Sequence, residues 1–211
     1  MRRASARVTS VDFTGFVLAH LPPPPAQVLE VGCGDRGGLV QALVDAGYDA
    51  LGVDPRAPVG PHFRQVDFRE VDGEFDAVVA GRVLHHLRPL GEAVDRLAAL
   101  APLLLADDFA WDLIDAAGQD WYEAQYRLLA AAGSEPKGPR SLDEWRAQHP
   151  DLHPHDVLLD ALRARYDERT LEWVPYFHRW LGGPSSEGLE QTLTDVGAFP
   201  AIGWRWAGVR R

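Results

Sequence analysis

The chain has 211 residues, of which 46% are hydrophobic and 25% are charged. These are the proportions of an ordinary globular domain, and they exclude a disordered or fibrous protein. Asp and Glu total 31 against 21 for Lys and Arg, and the resulting net charge of -10 argues against a protein that grips a nucleic-acid backbone.

Cysteine content and hydropathy indicate the compartment. The single cysteine, Cys33, has no partner for an internal disulfide, which favours a reducing environment. The most apolar run, 97–106, is interrupted by Pro102 and is shorter than the roughly 20 residues of a membrane-spanning helix. Residues 13–21 contain polar side chains and lack the apolar centre of a signal peptide. We therefore expect a cytoplasmic monomer or homodimer that binds neither membranes nor nucleic acid.

Short apolar runs alternate with helical patterns in the first half of the chain. Five of these runs are predicted to be buried strands: 27–31, 50–53, 63–66, 75–80 and 103–106. Apolar residues have helical spacing at 37–46 and 90–100, and Gly47 stands where a helix C-cap is expected. This repetition of strand, helix and strand predicts parallel pairing in a doubly wound α/β sheet.

The pattern changes after Asp108 and becomes helical. Residues 110–132 are rich in Ala, Leu, Trp and Tyr, as is typical of a helix. Ser141 followed by Glu144 is typical of the capping box that begins a further helix, and 157–166 has helical apolar spacing again. The sequence therefore predicts a helical insertion after strand five.

Strand patterns resume only after Gly197, at 201–206 and 209–211. Together with the first five strands they predict one mostly parallel α/β sheet of seven strands. The single domain over 1–211 then has a core and an insertion, which cover about 26–109 with 171–211 and about 110–170. Because ligands in such sheets bind at the carboxyl ends of the strands, we expect the insertion to act as a lid.

The segment that follows the first strand predicts a ligand site. VLEVGCGDRGG, 28–38, is a strand that leads into a glycine-rich turn, which brings backbone N–H groups close to a ligand. Gly32, Gly34 and Gly37 form a G-x-G-x-x-G pattern, and Asp54 follows Gly34 by 20 positions (54 − 34). A carboxylate at the end of strand two accepts hydrogen bonds from ribose hydroxyls. These residues alone predict either an adenosine-containing ligand or an ordinary strand-to-helix turn.

Three further features narrow this prediction. Glu30 lies inside strand one, where a carboxylate without a partner is costly. Asp67 and Phe68 follow strand three and suit an amine and a purine ring, and strand four leads into GRVLHHL, 81–87. The motifs EVGCGDRGG, GVDPR, VDF and FDAVVAGRVLHHL occur in this order over about 26–110. Together they resemble the class I S-adenosylmethionine-dependent methyltransferases, in particular the small-molecule methyltransferase-domain type.

The resemblance implies a Rossmann-like fold, S-adenosylmethionine as cofactor and a small-molecule acceptor. In that family the glycine turn wraps the methionine part and the first-strand acid supports the turn and the amino group. The acids after strands two and three meet the ribose and the adenine amine, and the end of strand four lies beside the sulfonium. Carried over position by position, the cofactor-binding residues are Glu30, Gly32, Cys33, Gly34, Asp54, Pro55, Asp67, Phe68, Ala80 and Gly81.

The resemblance also implies an in-line displacement, in which the protein positions the acceptor, excludes water and removes a proton from a weak nucleophile. Asp107, His85 and His178 are the candidate bases, and the sequence does not choose among them. Two places depart from the common family pattern, Asp35–Arg36 in the turn and Arg82 after strand four. Both lie in the predicted methionine pocket.

Two alternatives use the same residues. A methyltransferase-like protein could bind a nucleoside or a partner without catalysis, and an NAD(P)-dependent reductase could use the same glycine turn. Such a reductase would need a Tyr and Lys pair, yet the single lysine, Lys137, lies in a loop rich in Gly and Pro.

Four residues with metal-ligating side chains fit no standard zinc spacing, and we expect no metal there: His149, His153, His155 and Asp156. An aromatic run is expected in core or lid packing, or in a substrate wall: Trp173, Tyr176, Phe177 and Trp180.

Overall fold

Runs of aliphatic residues form the strands of a single seven-stranded sheet. The computed structural model describes residues 12–211, so 1–11 of the predicted domain lie outside the described part of the chain. The strands are β1 (Gln27–Val31), β2 (Asp49–Val53), β3 (Phe63–Arg64), β4 (Ala77–Gly81), β5 (Leu103–Phe109), β6 (Tyr166–Val174) and β7 (Gly203–Arg210). Their order in the sheet is β3, β2, β1, β4, β5, β7, β6. The predicted seven-stranded, mostly parallel fold is confirmed.

The pairing of the strands fixes where a ligand can bind. β1 pairs in parallel with β2 on one side and with β4 on the other, and β4 pairs in parallel with β5. After β1 the chain adds β2 and β3 on one side of that strand and then returns to add β4 on its other side. This reversal of strand order leaves a crevice at the carboxyl ends of β1 and β4. β7 runs antiparallel to both β5 and β6, and β6 is the edge strand at that side of the sheet.

Helices cover the sheet and fill the segment after β5. They are α1 (Phe13–His20), α2 (Val40–Asp45), α3 (Leu90–Leu100), α4 (Ala116–Ala131), α5 (Leu142–Gln148), α6 (His155–Arg163), α7 (Phe177–Leu181) and α8 (Pro184–Asp195). Three single turns of 3-10 helix occur at Phe68–Glu70, Leu84–His86 and Trp111–Leu113. Within 12–211, no helix has both the length and the hydropathy needed to cross a bilayer.

Side-chain alternation along the strands divides the core between the two faces of the sheet. Leu29 and Val31 of β1 belong to one apolar cluster, whereas Val28 belongs to the cluster on the opposite face. A third cluster joins the end of β5, through Phe109, to buried residues of α4 and α7. The insertion therefore rests on an apolar cluster of its own beside the crevice.

Several predicted boundaries are corrected by the structure. The helix predicted at 37–46 begins only at Val40, because the residues before it form the glycine turn, and Gly47 ends it with φ 91° as expected. The strand predicted at 63–66 is only two residues long. β5 continues past the predicted 103–106 to Phe109, so that two acidic residues lie inside the strand.

The carboxyl-terminal part of the sheet also differs from the prediction. The helix predicted at 157–166 ends at Arg163, and the chain then forms β6. The expectation that strands resume only after Gly197 is wrong, because β6 is a charged edge strand, YDERTLEWV, that lacks an apolar run. The two short strands predicted at 201–206 and 209–211 are one strand, β7.

Candidate active site

Two adjoining cavities lie in the crevice at the carboxyl ends of β1 and β4. The larger has a volume of about 560 Å³ and the smaller of about 260 Å³. The five residues that line both come from the glycine turn and the end of β4: Gly32, Cys33, Gly38, Gly81 and Arg82. The smaller cavity continues toward Glu30 and Asp107, and the larger toward an aromatic wall. The turn and the end of β4 thus form the floor of one continuous cleft.

The glycines of the turn have conformations that other residues rarely adopt. Gly32 has φ 76° and donates its N–H to Val53 of β2 at 2.8 Å. A Cβ at this position would lie 2.9 Å from the side chain of Val83. Gly34 has φ 64°, and a Cβ there would meet nothing within 4 Å. The main chain at Gly34 therefore borders open space that a ligand could occupy.

Glu30 holds the turn from below. Its Oε2 accepts a hydrogen bond from the amide of Leu39 at 2.7 Å, and a Cβ at Gly38 would collide with the same carboxylate. Burial raises the pKa of Glu30 to about 7, against the opposing effects of the backbone amides of Leu39 and Val40 and of the Arg82 charge. This carboxyl group lines the smaller cavity.

The other predicted residue of the turn, Cys33, is a packing residue at the edge of the cleft. It is buried in the cluster on one face of the sheet. Burial, assisted by the charges of Glu30 and Asp54, raises the pKa of the Cys33 thiol to about 12. The thiol is therefore protonated at neutral pH and is a poor nucleophile.

Asp54, the residue predicted to bind the ribose, lies just beyond β2, next to the exposed Pro55. Its Oδ1 accepts the backbone N–H of Arg56 at 2.8 Å, and its charge acts on Cys33 at the edge of the cleft. Neither Asp54 nor Pro55 lines the two cavities. Asp54 thus lies close to the glycine turn, with one carboxylate oxygen occupied locally.

The predicted adenine contacts are not brought into the cavities. The Asp67 carboxylate caps the 3-10 turn that follows it, accepting the N–H of Arg69 at 2.9 Å and pairing with its guanidinium at 3.1 Å. Phe68 is only 5% exposed and packs in the core with Leu29 and Val31. Its ring therefore presents little surface to a ligand.

β4 ends in an unusual backbone conformation beside the cleft. Ala80 is fully buried, and Gly81 lines both cavities, with Phe13 of α1 close to it. Arg82 is the one non-glycine residue in the described range with a positive φ, 57°. Its amide donates to the carbonyl of Asp107 at 2.6 Å. A strained residue at the junction of two cavities is a common feature of functional sites.

The structure distinguishes among the three candidate bases. Asp107 is buried in β5, and its carboxylate is bound by both terminal nitrogens of Arg179, with Nη2 to Oδ1 at 2.9 Å. Arg205 lies 3.5 Å from the same oxygen. His178 contacts Glu190 and Glu187 and lines neither cavity. The Asp107 carboxylate is already engaged by guanidinium groups and His178 lies outside both cavities, so neither is placed to take a proton from a ligand in the cleft.

His85 differs from both. Its side chain is buried, lines the larger cavity and forms a 2.6 Å contact between Nδ1 and Oδ1 of Asp108. The backbone N–H of His85 donates to the other oxygen of Asp108 at 3.2 Å. The carboxylate thus fixes both the main chain and the ring of His85 at the wall of the cleft.

Four aromatic side chains from three separate segments form an aromatic wall of the larger cavity. They are Phe109, Trp145, Tyr176 and Trp180. Phe109 stacks on Tyr176 with ring centroids 4.4 Å apart, and Trp180 meets both rings edge-on. Of these four residues, the sequence indicated Tyr176 and Trp180 as candidates for a substrate wall, but not Phe109 or Trp145. Of the remaining predicted aromatic run, Phe177 is buried below this wall and Trp173 is exposed on β6.

The four residues considered for a metal do not form one group. The Nδ1 of His149 contacts the carbonyl of Trp145 at 2.8 Å, and the Nε2 of His153 contacts that of Leu87 at 2.9 Å. His155 and Asp156 instead meet Asp112, with ligand atoms within 4.8 Å of one another. The Nδ1 of His155 is already held by Asp112 at 2.7 Å, so this surface group is explained by their own ion pair.

Comparisons with known proteins agree with this geometry. A family model described as a methyltransferase domain matches residues 9–175. An S-adenosylmethionine-dependent methyltransferase from Mesorhizobium loti is 18% identical, with 93% of this chain and 96% of that chain covered and a TM-score of 0.57. Magnesium protoporphyrin IX methyltransferase from Synechocystis PCC 6803, solved with bound S-adenosylhomocysteine, is 16% identical, with 94% and 80% covered and a TM-score of 0.55.

A third structure is similar in the same way. Geranyl diphosphate C-methyltransferase from Streptomyces coelicolor A3(2) is 14% identical, with 94% of this chain and 78% of that chain covered and a TM-score of 0.57. No curated protein sequence matches the chain. At these identities the structural likenesses establish a shared fold.

Proposed function

The chain belongs to the methyltransferase domain family, and from this premise we propose that it transfers the methyl group of S-adenosylmethionine to a small-molecule acceptor. The observation that carries the proposal is the main chain at Gly34, which borders open space in the glycine turn. The Glu30 carboxylate holds this turn by accepting the amide of Leu39. Backbone amides at such a turn can contact a polar ligand directly. The crevice between β1 and β4 is where sheets of this topology bind nucleosides.

The residues of the cleft fit S-adenosylmethionine in two parts. Gly32, Gly34 and Gly81 would border the methionine part, and Glu30, in the smaller cavity, would face its ammonium group. Asp54, beside the turn, would accept hydrogen bonds from the ribose through its second carboxylate oxygen. Cys33, Pro55 and Ala80 would shape the pocket by packing only.

Asp67 and Phe68 remain the proposed adenine contacts, with a condition. Because Asp67 is bound to Arg69 and Phe68 is buried, either contact requires a local rearrangement of the turn at 68–70. When bound, the cofactor would supply a methyl group on a sulfonium, whose methyl carbon an acceptor lone pair can attack in line with a neutral thioether as the leaving group. The protein's own task is to orient the acceptor, exclude water and remove a proton.

A small-molecule acceptor is supported by the cavity and by related proteins. The volume of about 560 Å³ falls in the range of small-ligand sites. The net charge of -10 disfavours nucleic acid. The similar proteins from Synechocystis and Streptomyces are named for a porphyrin and for geranyl diphosphate, both small molecules.

We also propose that the helices after β5 act as a lid on a single catalytic domain. Trp145 and His149 of α5 reach the larger cavity from this insertion. The sequence-predicted limits of the insertion, about 110–170, overlap β6, which begins at Tyr166. We therefore assign the lid to the helices α4, α5 and α6.

Isothermal titration with S-adenosylhomocysteine tests the proposal. We expect micromolar binding to the full chain, abolished in Asp54→Arg because a bulky cation replaces the ribose acceptor. Glu74→Arg, an equal charge change at an exposed position away from the cleft, should bind as the wild type does. Preferential binding of NADH would overturn the proposal in favour of a reductase. Binding without turnover on a broad panel of acceptors would favour a non-catalytic role.

A further inference from the structure

The buried pair of His85 and Asp108 is not among the residues assigned above to the cofactor. The Asp108 side chain is fully buried, and its Oδ1 accepts both the Nδ1 of His85 at 2.6 Å and the N–H of Phe109 at 2.9 Å. Its Oδ2 accepts the N–H of His85. Burying a carboxylate and an imidazole together is costly, and hydrophobic residues would stabilise this position as well. The pair therefore calls for a chemical explanation.

The geometry fixes which ring nitrogen is available. A carboxylate only accepts hydrogen bonds, so Nδ1 of His85 carries the hydrogen that points to Asp108. In the neutral ring Nε2 then has a free lone pair. Within 12–211 no protein group hydrogen-bonds to Nε2, and His85 lines the larger cavity. Nε2 is therefore the ring nitrogen of His85 that is left to accept a proton from a ligand in this cavity.

The two other histidines of the cavity lack this arrangement. His86 is largely exposed, and partial desolvation of its ring, together with the adjacent His85, lowers its pKa. His149 contacts a main-chain carbonyl instead of a carboxylate. The remaining charged groups at the cavity are Asp35, Arg36 and Arg82. Only His85 combines a buried carboxylate partner with access to the cleft.

The surroundings of His85 indicate the kind of acceptor. Phe109 meets the ring of His85 edge-on at 5.0 Å and stacks on Tyr176, while Trp180 and Trp145 continue the wall. Flat apolar walls of this kind favour aromatic ligands. An aromatic ligand that offers a proton to Nε2 would carry a hydroxyl group.

We propose that the larger cavity takes an aromatic hydroxyl compound and that His85 is the catalytic base that removes its hydroxyl proton, with Asp108 as a positioning residue. In this step the O–H bond breaks, the proton bonds to Nε2, and the electron pair stays on the oxygen, which becomes the nucleophile. The positive charge on the ring is stabilised by the Asp108 carboxylate. The oxygen would then bond to the methyl carbon as the carbon–sulfur bond breaks and its electron pair leaves on the neutral thioether, and the proton would pass from Nε2 to water. The proposal rests on the proposed function, because the oxygen needs a methyl donor beside it.

The proton step can be observed without turnover. The full chain is saturated with S-adenosylhomocysteine and titrated with 4-nitrophenol, at a pH where the free probe is mostly protonated. The bound probe should show the visible absorbance of its phenolate. His85→Gln should abolish that absorbance, and Asp108→Asn should lower the ratio of phenolate to phenol roughly tenfold or more, because the charge that stabilises the protonated ring is lost.

A matched pair elsewhere in the molecule is the control. Asp112 and His155 have almost the same Asp–His contact, 2.7 Å, outside both cavities. His155→Gln should leave the phenolate signal unchanged. If Asp108→Asn does not fold, by circular dichroism, the result with His85→Gln decides.

The outcomes distinguish failure of the proposed function, of the aromatic acceptor and of the role of His85. A wild type that does not bind S-adenosylhomocysteine overturns the proposed function. Binding of S-adenosylhomocysteine without uptake of phenol, catechol or 4-nitrophenol overturns the aromatic acceptor. Uptake of the probe without phenolate, or phenolate that persists in His85→Gln, overturns the role of His85.

Discussion

Glu30 lies in the proposed cofactor site, and the burial of its carboxyl group makes the free energy of unfolding depend on pH. It is 4% exposed, and burial raises its pKa from 4.5 to about 7. In the unfolded chain the group ionises near pH 4.5, so between 4.5 and 7 the folded state binds more protons than the unfolded state. Its contribution to the free energy of unfolding therefore falls as pH rises through this window. The turn is held by a group that is costly to ionise.

Replacing Glu30 by Gln should remove this dependence. The free energy of unfolding of Glu30→Gln, relative to the wild type, should rise between pH 5 and pH 8 by up to about 3 kcal/mol, since each pKa unit is worth about 1.4 kcal/mol. Urea unfolding of both proteins at the two pH values measures the difference, in which all other titrating groups cancel. A difference that is the same at both values would contradict the assignment.

Gly34 gives a second test at the scale of one residue. Gly34→Val should abolish binding of S-adenosylhomocysteine, because the new side chain fills the space above the turn. Gly133→Val is a matched control, since Gly133 has φ 81° and equally open surroundings in the loop after α4. Both variants should lose a similar 1–2 kcal/mol or so of stability from backbone strain. Titration of both by calorimetry decides, and equal affinities would mean that the turn is only architectural.

At the scale of an element, α7 depends on one carboxylate from α8. Glu190 accepts the N–H groups of Tyr176, Phe177 and His178 at 2.6, 2.9 and 2.8 Å. These bonds hold the segment from which Tyr176 and Arg179 reach the cleft. An anion at three converging amides is a strong anchor, because the amides would otherwise be buried without partners.

Glu190→Ala should therefore destabilise the fold by about 3 kcal/mol or more, since charged hydrogen bonds contribute about 1.5–3 kcal/mol each and do not add fully. Glu187→Ala on the same helix is the control. Its carboxylate lies 4.0 Å from His178 and is partly exposed, so the loss should stay below about 1 kcal/mol. Urea unfolding monitored by tryptophan fluorescence measures both, and similar losses in the two variants would contradict the anchor.

The sequence predicted best those elements whose secondary structure is determined by their own residues and not by distant pairing. β1 was located to the residue, because QVLEV is buried on both faces and follows a run of prolines. β6 was missed because it is an edge strand with charges along its length, so its identity depends on pairing with β7. The prediction of β5 stopped too early, because the apolar run ends at Ala106, before the buried Asp107 and Asp108.

At the scale of the whole molecule, the sequence located half of the cleft. The glycine turn and the end of β4 are contiguous motifs, and both lie where the resemblance to class I methyltransferases implied. The aromatic wall could not be found in this way, because β5, α5 and the segment around α7 meet only in the folded chain. The ion pair of Asp107 could not be predicted either, because its partner Arg179 is 72 positions away. Ion pairs of this separation leave no local pattern.

The proposed lid is a property of the whole molecule and gives the last prediction. α5 contributes Trp145 and His149 to the larger cavity, and it is tied to the rest of the insertion by Arg146, which reaches Gln119 at 2.8 Å and the carbonyl of Ile114 at 3.2 Å. A ligand in the cleft should therefore order this short helix together with its supports. Bound ligand adds contacts that the open state lacks, and local opening becomes less favourable.

Hydrogen exchange measures this effect. Saturation with S-adenosylhomocysteine should slow amide exchange at 142–148 as well as at the glycine turn, 32–39. The outer edge strand β6, which lines neither cavity, is the internal control and should exchange at an unchanged rate. Protection confined to the turn would mean that the insertion is a fixed wall and not a lid. Protection spread equally over β6 would indicate global stabilisation, because a ligand that raises only the global unfolding free energy does not distinguish one segment from another.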